Sequence, residues 1–162
     1  MTSKNVSPKI AIVMGSQSDY KTMKLCVKTL KILKIKSETK ILSAHRTPKR
    51  MYDFAKKAEK NNISLIIAGA GGSAHLPGMI AAITRIPVIG VPIESKKLKG
   101  LDSLLSMVQM PKAVPIGCLA IDGAFNAGLL AASIIGNYDT KVKSNLEKWR
   151  RLQTQSIKKK PK

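Results

Sequence analysis

Residues 10–19 read Ile-Ala-Ile-Val-Met-Gly-Ser-Gln-Ser-Asp, and this stretch decides the fold class. Its first half, Ile10–Met14, is an unbroken apolar run, which is typical of a strand buried on both faces. Its second half, Gly15–Asp19, is a short polar loop. From residue 21 to residue 34 an apolar stripe then alternates with lysines at helical spacing. The stretch therefore predicts a buried strand that leads through a polar loop into an amphipathic helix.

The same order of strand, loop and helix recurs downstream with short connections. Further strands are predicted at Lys36–Leu42, Ile63–Ala68, Pro87–Val91 and Val114–Ala120. Helices are predicted at 48–61, with Thr47 as N-cap and Pro48 in the first position, and at 76–84, 103–110 and 126–135. Strands that alternate with helices require right-handed crossovers. The pattern predicts a parallel α/β sheet.

The length of 162 residues fits one domain, 1–162, with its core at about 9–137. An extra C-terminal helix is predicted at about 141–155, followed by a basic tail, 156–162, whose end we expect to be disordered. The helix has an apolar stripe that includes Trp149 and Leu152. Because Gly136–Asp139 resembles a hinge, we expect this stripe to pack on a neighbouring subunit.

The formal net charge is +20, which invites a nucleic-acid interpretation. The basic residues are mostly lysine, however, and no aromatic side chains alternate with them to stack on bases. We therefore interpret the lysines as a solvated surface that attracts anionic substrates, and expect no specific nucleic-acid partner. Two well-separated cysteines, Cys26 and Cys118, in apolar segments indicate reduced core residues. With neither a signal-peptide pattern nor an apolar run of about 18 residues, we expect a cytoplasmic protein with no membrane partner.

Two polar clusters follow predicted strands, where parallel α/β proteins bind ligands. In Gly15–Asp19, the hydroxyls of Ser16 and Ser18 suit phosphate or sugar oxygens, and Asp19 suits ribose hydroxyls, although Ser18 or Asp19 could simply cap the helix. In the second cluster, 43–48, Arg46 can hold a phosphate bidentately. His45 beside it is a natural proton carrier at neutral pH, although a lone histidine is often structural.

A third cluster, 68–79, reads Ala-Gly-Ala-Gly-Gly-Ser-Ala-His-Leu-Pro-Gly-Met. Its glycines leave main-chain amides bare for a flat ring or a carboxylate, and His75 stands near the following helix. Close packing of helix on sheet also demands small residues, but explains Gly71, Gly72 and His75 poorly. The sequence has no clustered zinc ligands, no dinucleotide fingerprint and no Walker phosphate loop. We therefore predict no metal or cofactor, and acid–base chemistry on a phosphorylated heterocycle.

Six stretches together resemble the class I N5-carboxyaminoimidazole ribonucleotide mutases of purine biosynthesis. They read GSQSD, SAHRTP, AGAGGSAHLPGM, GVP, GLDSLLSMVQMP and NAGLLAA, and span about 10–132. The resemblance implies a three-layer, doubly wound, flavodoxin-like fold and a homo-octamer. It also implies transfer of a carboxylate from the exocyclic nitrogen to C4 of a phosphoribosyl imidazole. It also implies His45 as the acid–base residue. The implied substrate-binding residues are Ser16, Ser18, Asp19, Ser43 and Arg46 around the ribose phosphate, and Ala70, Gly71, His75 and Leu76 around the ring and carboxylate.

Four positions depart from the usual pattern of that family. Tyr20 replaces the usual tryptophan, Ser73 replaces the usual alanine, and Ala113 and Asp122 each replace the usual glycine. None removes a group with an implied role, but Asp122 puts a carboxylate near a turn. Two other functions stay open: direct carboxylation of aminoimidazole ribonucleotide by CO2, as in class II relatives, and a basic nucleic-acid-binding module.

Overall fold

The computed structural model describes residues 7–160, and its centre is a parallel sheet of five strands. The strands are β1 (Lys9–Met14), β2 (Lys36–Ile41), β3 (Ile63–Gly71), β4 (Val88–Ile93) and β5 (Gly117–Cys118). Their order across the sheet is β2-β1-β3-β4-β5, and every neighbouring pair is parallel. The chain thus winds outward in both directions from the centre, which confirms the predicted doubly wound sheet.

Helices cover both faces of this sheet. They are α1 (Tyr20–Ile32), α2 (Pro48–Lys57), α3 (Leu76–Ala81), α4 (Leu101–Val108), α5 (Ala124–Ile135) and α6 (Thr140–Ser156). Side chains of α1, α5 and α6 share one apolar core with one face of β1, and side chains of α2, α3 and α4 share a second core with the other face. Ile10 and Ile12 enter the first core, whereas Ala11 and Val13 enter the second. The unbroken apolar run of β1 is explained because both of its faces are buried.

The amphipathic interpretation of α1 is confirmed. Met23, Cys26 and Leu30 are fully buried, while the lysines on the opposite side are exposed. Burial also raises the pKa of the Cys26 thiol to about 12, and the pKa of the half-buried Cys118 thiol is raised for the same reason. Neither cysteine forms a disulfide.

The predicted lengths of β3, β4 and β5 are wrong. The strand predicted at Val114–Ala120 shrinks to Gly117–Cys118, because Pro115 has no N–H to pair and Ala113 turns the chain with a φ of +76°. By contrast, β3 is longer than predicted and continues through Gly71 into the glycine-rich segment. Gly69 and Gly71, which were predicted to lie in a loop, therefore form the end of a strand.

The expectation that α6 packs on a neighbouring subunit is wrong for its first half. Val142 and Leu146 are buried in the same core as α1 and α5, and the ring of Trp149 lies 5.9 Å from that of Phe125. The predicted hinge is instead a capped turn, since Asp139 Oδ1 accepts hydrogen bonds from two main-chain amides of α6 at 3.0 Å.

Leu152 remains half exposed, and its expected partner stays a prediction. Part of the basic tail, 161–162, lies outside the described residues, as does the polar leader before residue 7. Within the described part, no helix combines the length and the apolar character needed to cross a bilayer.

Candidate active site

The three sequence clusters meet at the carboxyl edge of the sheet. Since β1 lies between β2 and β3, the loops that follow these three strands are neighbours in space. They border an open cavity of about 340 Å³, a size typical of sites for small metabolites. All ten predicted site residues line it: Ser16, Ser18, Asp19, Ser43, His45, Arg46, Ala70, Gly71, His75 and Leu76.

The first loop folds around the carboxylate of Asp19. This side chain is almost fully buried, and its Oδ2 accepts a hydrogen bond from the main-chain N–H of Ser16 at 2.9 Å. The hydroxyls of Ser16 and Ser18 lie 2.6 Å apart at the cavity. Asp19 therefore closes a capping box around a 3-10 turn. Its side chain makes no cap hydrogen bond to α1, contrary to the simpler interpretation of this loop. The same arrangement leaves two hydroxyls on the cavity wall.

The second loop joins the first through the Arg46 guanidinium. Its Nη2 donates to the carbonyl oxygen of Gly15 at 3.1 Å, and its Nε donates to Ser43 Oγ at 3.3 Å. Thr47 stands at the N-cap as predicted, but its hydroxyl bonds to the main chain of Ser43 rather than to the helix. Arg46 thus holds two cavity walls at a fixed spacing and keeps its remaining N–H groups exposed at the cavity.

The third loop brings a second imidazole to His45. The Nε2 atom of His45 lies 2.8 Å from Nδ1 of His75, and the two rings meet edge to face with centroids 4.9 Å apart. A contact this short between two ring nitrogens needs one proton between them, so one ring donates and the other accepts. Both rings are exposed at the cavity, where they can exchange that proton with a bound molecule.

The glycines of this loop divide into two kinds. A Cβ on Gly69 would collide with the side chain of Met23 on α1, so Gly69 serves close packing of helix on sheet. A Cβ on Gly71 would have only ordinary contacts, and Gly72 takes a φ of +67° that favours glycine. Gly71 and Gly72 instead line the cavity with main chain.

A family model described as "AIR carboxylase" matches residues 9–156 of the chain. The chain belongs to this family. It is 50% identical to the N5-carboxyaminoimidazole ribonucleotide mutase of Escherichia coli K12, over 97% of this chain and 94% of that protein. It is 54% identical to the mutase of that name from Pyrococcus abyssi, over 88% and 82%.

The fold is similar to a crystal structure of Treponema denticola PurE, with a TM-score of 0.85 and 28% identity over 93% of this chain and 94% of that one. This similarity confirms the flavodoxin-like fold with its added C-terminal helix. The family match and the identities to the mutases confirm the family that the six sequence stretches resemble.

Sequence reasoning missed a fourth wall of the cavity in this member of the AIR carboxylase family. Glu94 and Ser95 follow β4 and line the cavity, together with Gly15, Ala44, Gly72, Ser73 and Ile93. The signal was available, because polar residues at the end of a parallel strand are the same sign that marked the other loops. The predicted strand ended at Val91, two residues early. The two polar residues were therefore not recognised as residues that directly follow a strand.

Two family departures have visible consequences. Asp122 adopts a φ of +56°, and its Oδ1 accepts hydrogen bonds from the main-chain N–H of Glu94 and the hydroxyl of Thr22, both at 3.2 Å. The carboxylate therefore fastens the start of the fourth wall to α1. Ala113 adopts a φ of +76°, where a glycine would be unstrained.

No group of three or more histidine, cysteine or acidic side chains that could hold a metal occurs within residues 7–160. The predicted absence of metals and cofactors stays a prediction.

Proposed function

We propose that this chain is an N5-carboxyaminoimidazole ribonucleotide mutase of purine biosynthesis, which is an isomerase. Its relatives of that name share about half of its residues over nearly its full length. The observation that carries the proposal is the contact of His45 with His75 at the glycine-lined end of the cavity, with Arg46 beside it. This arrangement puts a proton carrier and a phosphate anchor in one small site.

The reaction needs two proton transfers at one place. His45 first gives a proton to the exocyclic nitrogen, which breaks the bond from nitrogen to the carboxyl carbon and releases CO2. The electron-rich C4 then attacks CO2, and the base form of His45 removes the proton from C4. Atoms and charge balance without any oxidant or reductant. His75 can hold the His45 ring in place between the two transfers, because its Nδ1 is within hydrogen-bond distance.

The remaining predicted residues have chemistry that suits their proposed roles. Arg46, Ser16, Ser18 and Ser43 offer donors for the ribose phosphate, and the buried Asp19 suits hydroxyl groups of the ribose. The main chain at Ala70 and Gly71 offers a flat surface for the imidazole ring and its carboxylate, with Leu76 and His75 beside it.

Direct carboxylation by free CO2 is the second candidate, since the family model bears the name of that activity. The two reactions differ in the substrate that they consume. We expect the carbamate substrate alone to give the 4-carboxylated product, and aminoimidazole ribonucleotide with bicarbonate to give far less. Product formation that depends on bicarbonate, with the carbamate inactive, would favour the carboxylase instead.

We also propose that the chain works as a homo-oligomer, an octamer, in the cytoplasm. Leu101, Leu105 and Val108 form a half-exposed apolar stripe along α4, next to the fourth wall of the site. A partner on this stripe would shield apolar surface and narrow an otherwise open cavity, which helps to retain CO2. Two free cysteines suit a reducing compartment. Light scattering should report a mass of eight chains, and a monomer would contradict the proposal.

A further inference from the structure

A buried hydroxyl on α4 bonds to the main chain at the point where two strands beside the glycine-rich wall stop pairing. The strands β3 and β4 pair in register up to Gly71 and Ile93. Beyond that pair, the main chain of Gly72 turns away with a φ of +67°. The N–H of Gly72 and the carbonyl of Ile93 are therefore left at the point where the sheet opens into the cavity.

Ser103 joins these two groups. Its Oγ accepts a hydrogen bond from Gly72 N at 2.8 Å and donates one to Ile93 O at 2.7 Å, and the residue is fully buried. The single hydroxyl proton goes to the carbonyl and a lone pair receives the amide, so both bonds form at once. The hydroxyl thus replaces a direct main-chain hydrogen bond between the two strands and bridges their ends.

We infer that Ser103 is a positioning residue for the mutase reaction, acting through Gly72 on the two histidines. The inference rests on the proposed function. From Gly72 the chain passes to Ser73, whose carbonyl accepts a hydrogen bond from the N–H of His75 at 2.8 Å. The ring of His75 in turn contacts His45 at 2.8 Å. The Ser103 hydroxyl is therefore linked to the acid–base residue through a tight turn.

The same part of α4 also fixes the fourth wall of the cavity. Asp102 Oδ1 accepts hydrogen bonds from the N–H of Ser103 at 2.9 Å and from the hydroxyl of Ser95 at 2.7 Å. Ser95 lines the cavity. The start of α4 thereby sets the distance between two walls of the site, while the residues of the proposed phosphate anchor lie on other loops.

Replacing the hydroxyl tests this inference. In Ser103→Ala, the two main-chain groups lose their shared partner, and the turn that leads to His75 can shift. Because a small misplacement of catalytic groups is costly, we expect kcat to fall about 10- to 100-fold. KM should change by less than about threefold, since the phosphate anchors are untouched. Ser103→Cys, which keeps the size and a weak donor, should recover part of kcat.

Ser106→Ala is the matched control. Ser106 lies on the same helix, and its hydroxyl donates a hydrogen bond to the carbonyl of Asp102, one turn back, at 2.7 Å. It should keep kcat within about twofold of the unmodified enzyme. An equal loss in Ser106→Ala, or a normal kcat in Ser103→Ala, would overturn the inference.

A measurement on the unmodified protein covers the case in which Ser103→Ala fails to fold. The Gly72 amide should exchange slowly with deuterium, because it is bonded to a fully buried hydroxyl. Rapid exchange would contradict the proposed link whatever the variants do. An inactive unmodified protein would contradict the proposed function alone, since the exchange rate would still report whether Ser103 holds Gly72.

Discussion

His45 and His75 are 30 residues apart in the chain, yet Nε2 of the first lies 2.8 Å from Nδ1 of the second. The strands β2 and β3 lie on either side of β1, and the loops that follow them meet at the carboxyl end of β1. The contact fixes which nitrogen of His45 faces its partner. His45 therefore has a defined orientation before any substrate binds, which is what a proton carrier that acts twice requires.

Arg46→Lys should weaken substrate binding. Lysine keeps the charge but cannot hold a phosphate with two parallel bonds or bridge Ser43 and Gly15 as Arg46 does. Loss of one charge-assisted hydrogen bond corresponds to about 1–3 kcal/mol, so KM should rise about 5- to 150-fold. Steady-state kinetics measures this rise, with Arg50→Lys on the exposed face of α2 as control. A KM equal to that of the control would place the phosphate elsewhere.

Ala113→Gly should stabilise the protein. At a φ of +76°, alanine is strained by about 1–2 kcal/mol, whereas the extra freedom of glycine in the unfolded chain costs about 0.5–1 kcal/mol. The difference predicts a gain of up to about 1.5 kcal/mol in the free energy of unfolding, measured with urea. Ala82→Gly is the control, because Ala82 has a φ of −69° and should lose stability. A loss in both variants would show that Ala113 is not strained.

Stability should fall at alkaline pH partly through Cys26. Burial raises the pKa of this thiol from its ordinary value of 9.0 to about 12. Below pH 9 the thiol is neutral in both states and its contribution is complete. As pH rises towards 12, the unfolded chain loses the proton first, so unfolding becomes easier.

Urea unfolding of Cys26→Ala should therefore show a shallower loss of stability with rising pH than the unmodified protein. Deprotonation of lysines affects both proteins alike. Identical slopes would mean that the thiol is not buried in the folded state.

Local patterns were enough to predict the sheet and the three loops. Ile10–Met14 indicated a strand buried on both faces because a run of five apolar residues is typical of a strand covered on both sides. His45 and Arg46 could be chosen because they directly follow a predicted strand, at the edge where ligands bind. Their meeting with His75 followed from topology and not from any spacing in the chain.

Other features depend on contacts that no local pattern contains. The first half of α6 packs on its own domain because Val142 and Leu146 fit the core of α1 and α5, and an apolar stripe does not name its partner. From the sequence, Asp122 could be recognised only as a departure from the family pattern. Its bonds to Thr22 and Glu94 join segments that are far apart in sequence. The role of Ser103 was hidden for the same reason, because a serine in a predicted helix looks like any other.

The measurement that tests the central claim most directly is turnover and ligand binding by His45→Asn. Asparagine is similar in size and can still form a hydrogen bond to His75, but it cannot carry a proton at neutral pH. We predict that kcat for the carbamate substrate falls by at least about 100-fold, while calorimetry shows product affinity within a few-fold of the unmodified enzyme. A His45→Asn variant that converts the carbamate at a near-normal rate would contradict the account.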